Sequence, residues 1–145
     1  MNATLTFEYE FSRDGDDFGW LMVRVETPDF KGRNGTWAQW QDVRDFGAAL
    51  ARFPIETADP VTGKWGFIDN GRDVVITKVQ IAPEGPTGGL LVDVELANHY
   101  DPRNHCRTRF QTDYLGIASF REQIEMMMRK DAWSASLEGT KPKVD

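Results

Sequence analysis

The chain has little of what usually gives a protein's chemistry away. Among 145 residues there is one cysteine and there are two histidines. With Cys106 alone, no intrachain disulfide and no C-x-x-C motif can form. A zinc site would lack the thiolates that structural sites use. No G-x-G-x-x-G, P-loop or nucleophile elbow occurs, so no catalytic or cofactor-binding residue and no cofactor is expected. No run approaches the ~20 apolar residues that a membrane span needs. The first residues lack a basic stretch leading into an apolar one, so no signal peptide is expected, and a cytoplasmic location is. Positive charge is also scarce. The net charge is −6, which argues against a basic footprint for nucleic acid.

What is present is ordinary globular composition: 40% hydrophobic and 28% charged residues. A chain of this size buries about 70% of its unfolded surface, enough for one core. The acids are unevenly placed. Residues 1–30 carry Glu8, Glu10, Asp14, Asp16, Asp17, Glu26 and Asp29 against Arg13 and Arg24, and so hold nearly all the excess negative charge.

Alternation of apolar and polar residues marks the strands. Leu5, Phe7, Tyr9 and Phe11 share one parity. An Asp-Gly turn follows, and Leu21, Val23 and Val25 then share another face. Antiparallel pairing predicts Phe7 beside Val23 and Leu5 beside Val25. It leaves Trp20 and Met22 outside, next to Glu8 and Glu10. Asn34-Gly35 predicts a turn, with a short strand over 36–40 that puts Trp37 and Trp40 on opposite sides. Asn70-Gly71 predicts a hairpin between strands over 64–69 and 73–82.

Leu90, Val92, Val94 and Leu96 then alternate with Asp93 and Glu95. Cys106, Thr108 and Phe110 alternate with His105, Arg107 and Arg109, so Cys106 points inward as a structural thiol. Matching the faces predicts Asp93 beside Arg109 and Glu95 beside Arg107. It also predicts Ile81 beside Leu90 and a charged row Lys78–Asp93–Arg109.

Two stretches read as helices. Val43, Phe46, Leu50 and Phe53 form a stripe after Asp42, the expected N-cap, and Pro54 ends it. Thr112 or Asp113 caps the second. There Ile117, Phe120, Ile124, Met127 and Met128 form the core stripe, with Tyr114 and Leu115 leading in. Residues 131–145 have low periodicity and read as an extended tail from which Trp133 docks on the body.

Two polar clusters call for a metal test. Asp14, Asp16 and Asp17 are closely spaced, but Gly15 comes too early for a calcium loop and no twelfth-position glutamate follows. His99, Asp101 and His105 share one loop without zinc-site spacing, and read as a polar loop.

Together these elements predict one α+β domain over 1–130, with a mainly antiparallel sheet of about six or seven strands. The second of its two helices lies across the sheet. Residues 90–98 (LLVDVELAN), 107–124 (RTRFQTDYLGIASFREQI) and 43–55 (VRDFGAALARFPI) resemble small bacterial WapI-like immunity proteins and their uncharacterised relatives. The passage from last strand to helix departs from the D-x-x-x-L-x-x-F pattern of that group, because Leu115 and Phe120 follow Asp113 at other spacings. The resemblance implies a protein that neutralises a toxin by binding, without catalysis, and it carries over no functional residue. The expected partner is then a basic protein such as a toxin. The candidate contact residues are Glu8, Glu10, Asp16, Asp17, Trp20, Met22 and Trp37, aromatic anchors rimmed by charge. The alternative is a small-molecule or enzymatic pocket between sheet and helices, lined by Trp37, Trp65, His99 or Tyr100. The chain is expected as a monomer, or as a homodimer through a strand edge.

Overall fold

A computed structural model describes residues 2–86 and 89–142. Among them are eight strands and two helices, in the order β1 (Asn2–Phe11), β2 (Phe18–Glu26), β3 (Lys31–Gln39), α1 (Trp40–Ala49), β4 (Val61–Asp69), β5 (Arg72–Pro83), β6 (Leu90–Ala97), β7 (His105–Thr112), α2 (Tyr114–Met128) and β8 (Ser134–Thr140). All strand pairs are antiparallel, in the spatial order β3-β2-β1-β8-β7-β6-β5-β4. Among the described residues no helix is long and apolar enough to cross a membrane.

The strand count exceeds expectation because of β8. Residues 134–140, read from sequence as tail, lie beside β1 in the middle of the sheet. Ala135 and Leu137 are fully buried there. Ser, Ala and Gly dominate this strand, so its own alternation is faint, and β1 supplies the ordering. Trp133 does not dock on the body; it is 88% exposed. Thr87 and Gly88, between β5 and β6, and the last three residues of the expected tail lie outside the described residues.

Local alternation sets the registers of two hairpins. Phe7 pairs with Val23 and Leu5 with Val25. Asp93 pairs with Arg109 and Glu95 with Arg107. Between β5 and β6 the register is two residues from that expected: Ile81 pairs with Val92, and Lys78 with Glu95. Parity survives a two-residue slip, so the faces were right and the charged row was not. Asp93 is flanked by Gln80 and Arg109.

A bulge interrupts β5. Trp65 pairs with Thr77, but Gly66 pairs with Val75, leaving Ile76 as the extra residue. Ile76 and Thr77 are consequently both buried, while Val75 is exposed. Gly66 is required here, since a Cβ would stand 1.9 Å from the Val74 carbonyl oxygen.

β3 is longer than predicted and runs straight through Asn34-Gly35. The reason is tertiary. Asn34 Nδ2 donates to the Thr77 hydroxyl (2.8 Å), the Ala97 carbonyl (2.9 Å) and the Ile76 carbonyl (3.2 Å). The sheet therefore curls until β3 faces β4, β5 and β6. Among the described residues β7 and β8 share only the pair Gln111–Thr140. The sheet thus folds as two four-stranded halves that face one another and join at that corner.

The helices fill the space between the halves. Phe7 meets Phe46, Trp65 and Phe120 at ring separations of 5.7, 5.7 and 5.3 Å. Val43, Phe46, Ile117, Phe120, Ile124 and Met127 are buried on the helix faces the sequence indicates. Asp113 caps α2, its Oδ1 accepting from the Gly116 amide at 2.8 Å. α1 differs from expectation at both ends. Its N-cap is Gln39, with no side-chain cap, and Asp42 sits inside the first turn. The helix ends at Ala49, the chain leaves through tight turns at Ala51 and Arg52, and Phe53 is 78% exposed. Leu115 is exposed as well, because it falls off the buried stripe of α2.

Candidate functional site

The outer face of β1, β2 and β3 brings five of the seven candidate residues together. Strand pairing sets Glu10 beside Trp20 and Trp20 beside Trp37. The adjacent row runs Glu8, Met22, Gly35. The rows are two residues apart along each strand and so share a face, and diagonal neighbours at about 7–8 Å are within reach of long and aromatic side chains, so both rows form one surface. The Trp20 and Trp37 rings meet edge to face at 5.0 Å, a geometry the ring quadrupoles favour. Gly35 allows it: a Cβ there would lie 2.4 Å from Trp20 Nε1, so the indole lies flat on the β3 backbone. Trp37 is 50% exposed and Met22 44%.

Carboxylates border these rings. Glu8 takes an ion pair from Arg24 at 3.4 Å. Asp16 and Asp17 lie exposed in the β1–β2 turn, at the end of the same hairpin. Asp16 Oδ1 accepts from the Phe18 amide (3.0 Å), and the Asp17 carbonyl accepts from the Trp40 amide (3.0 Å). These bonds fix the turn and tie it to the start of α1. Their charge is felt beneath the face. Tyr9 donates its hydroxyl to the Ala38 carbonyl at 2.7 Å. Its pKa is pushed up to about 12, first by burial and then by Asp16, Asp17 and Asp42.

The aromatic surface continues past β3. His99 Nδ1 hydrogen-bonds the buried Thr36 hydroxyl at 2.9 Å. Its ring lies 5.7 Å from Trp20, 5.0 Å from Phe67 and 5.1 Å from Tyr100. His99 thus bridges the two halves of the sheet. Phe67 was not singled out from sequence; its only signal was a place at the end of a predicted hairpin, and the sheet's curl brings it here.

The other sequence candidates do not converge. Asp101 pairs with Arg103 at 3.2 Å, and His105 Nδ1 contacts the Arg103 carbonyl at 3.1 Å, both apart from the Thr36 bond of His99. Among the described residues no three His, Cys, Asp or Glu side chains are grouped as metal ligands. Trp65 is buried against Phe7 and Phe46, in the space where a pocket between sheet and helices would have to open. Two cavities of about 450 and 430 Å³ lie at the periphery, one beside Phe30 and Arg109 and one beside Phe11 and Trp133, and a smaller one of about 250 Å³ opens between α1 and β4, beside Phe46 and Trp65. Comparison with protein-family models, curated proteins and solved structures gives no match to this chain.

Proposed function

We propose that this chain is a non-catalytic binding module for a basic protein partner, docking through the outer face of β1, β2 and β3. The observation that carries the reading is the cross-strand row Glu10–Trp20–Trp37, with Glu8 and Met22 alongside. Aromatic side chains of low conformational freedom, half-exposed and rimmed by carboxylates, suit an interface anchor. The acidic hairpin would steer a cationic partner and set salt dependence. A specific contact of standard size buries about 800 Å² per partner, more than these rings alone provide. The contact would therefore extend to Asp16 and Asp17 on one side and to Tyr100 on the other. The filled aromatic core favours this reading over a ligand pocket between sheet and helices. The resemblance to WapI-like immunity proteins makes a toxin of a bacterial cell the partner of choice, met in the cytoplasm.

The test is capture of the tagged chain's partner from its own organism, at low and moderate salt. The reading requires a stoichiometric basic protein, lost as salt rises. It also requires that protein to be lost with Trp20→Ala/Trp37→Ala and with Glu8→Lys/Glu10→Lys/Asp16→Lys. Retention by both variants would move the interface elsewhere and overturn the proposal.

A further inference from the structure

The rings on the outer face form a corner, and its floor is Trp20. One side of the Trp20 indole packs on the β3 backbone at Gly35, where a Cβ would collide with its Nε1, Cε2 and Cζ2 atoms. The other side is turned outward, and the residue stays half-buried. Trp37 stands beside it, ring centre 5.0 Å away and plane inclined at 74°. His99 stands at 5.7 Å and 65°. The floor thus has two aromatic walls. Glu10, which is exposed, is the cross-strand neighbour of Trp20 on β1. The Cβ atoms of such a pair are about 5 Å apart, so a carboxylate lies within reach of the floor on the side away from Trp37.

This chain already sets cations against aromatic rings elsewhere. Arg44 lies over Trp40 at 5.1 Å, and Lys130 over Phe11 at 4.7 Å. Among the described residues no such contact falls on Trp20 or Trp37. The cations near the corner are engaged by acids: Arg24 by Glu8 at 3.4 Å, and Arg103 by Asp101 at 3.2 Å.

We propose that the corner of Trp20, Trp37 and His99 receives an arginine side chain of the basic partner. This rests on the docking reading above and names the group that is read. A guanidinium is planar and can stack on the indole face, with its edge N–H donors turned to the Glu10 carboxylate. It is also more weakly hydrated than an ammonium, so it gives up its water at lower cost. Lysine carries the same charge without the plane. The acidic hairpin attracts both alike, and the rings choose between them. A nucleobase could stack on the same floor, but the acids would repel its phosphates.

The probes are two blocked heptapeptides in which glycine alternates with arginine or with lysine, so that charge and length match. Each is titrated to millimolar concentration into the whole protein, and the indole N–H signals of Trp20 and Trp37 are followed by NMR. The proposal requires both signals to shift, and the arginine peptide to bind about twofold or more tightly than the lysine peptide. Trp20→Leu keeps apolar area and removes the ring. It should weaken the arginine peptide about two- to fivefold, the worth of one exposed cation–π contact, and abolish the preference. Glu10→Gln should weaken both peptides. The comparison of the two peptides on the parent protein needs no variant, so it stands even where Trp20→Leu impairs folding. Equal binding of the two peptides, shifts confined to other residues, no binding at millimolar concentration, or a preference that survives Trp20→Leu would overturn the proposal. A captured basic protein that Trp20→Ala/Trp37→Ala loses, with no arginine preference, overturns this inference and leaves the docking reading standing. An arginine preference at the corner, with no basic protein captured, overturns the docking reading and leaves the arginine site.

Discussion

The Gln123 carboxamide hydrogen-bonds both the amide and the carbonyl of Ser136, as a neighbouring β-strand would. This one contact lets the last strand sit in the middle of a sheet that is split on one side of it. Gln123→Ala removes two bonds from half-buried backbone groups. A net loss of about 0.5–1.5 kcal/mol per bond gives a destabilisation of roughly 1–3 kcal/mol. Urea unfolding measures it. Gln123→Glu keeps the acceptor but loses the donor, so it should fall short of the parent as well.

Tyr9 predicts an alkaline limit to stability. Its folded pKa is about 12, against roughly 10 in an unfolded chain. Between these values the unfolded state releases the phenolic proton and the folded state keeps it, so stability falls as pH rises. The contribution is fully present below pH ~10 and is lost through pH ~12. Tyr9→Phe should flatten this limb, and it should cost about 1 kcal/mol at neutral pH through loss of the bond to the Ala38 carbonyl. The measurement is unfolding free energy against pH for both proteins. Parallel curves above pH 10 would refute the assignment.

Asn34 predicts how the two halves of the sheet are held. Asn34→Ala leaves the Thr77 hydroxyl and the Ala97 carbonyl without the donor that reaches them. A cost of about 1–3 kcal/mol is expected. Hydrogen exchange should quicken in β3 before it does in β1, because β3 is the strand that this side chain ties across the gap.

The aromatic centre and the surface tryptophans should separate cleanly in mutagenesis. Phe120→Ala opens a void against Phe7 and Phe46, with an expected loss of about 3–5 kcal/mol. Trp133→Ala, at 88% exposure, should stay within about 0.5 kcal/mol of the parent. Trp37→Ala should cost no more than about 1.5 kcal/mol of stability, the worth of its edge-to-face contact with Trp20. Any larger effect should appear in partner binding. Thermal and urea unfolding of the three variants checks the order.

The sequence by itself determined both helices, most of the strands and which face of most of them is buried. Alternation and helical spacing are local, and a buried face requires them. Phe7 opposite Val23 and Asp93 opposite Arg109 follow directly, since short connections leave few registers that match both faces. The aromatic and acidic members of the outer face were legible for the same reason: Trp20 and Met22 had the wrong parity for the core.

Tertiary structure decided the rest. β8 is a strand because β1 offers it an edge, which nothing in Ser-Ala-Ser-Leu-Glu-Gly-Thr announces. Asn34-Gly35 is a strand and not a turn because the Asn34 side-chain amide finds acceptors on β5 and at the end of β6, some 40 to 60 residues away. The slip between β5 and β6 preserves every face and is silent in the pattern. The bulge at Ile76 answers a carbonyl pressed against Gly66. Phe53, Leu115 and Trp133 are apolar yet exposed, because a full core around Phe7 leaves them no room. Local pattern fixes which way a side chain points, and only the closed fold fixes what it meets.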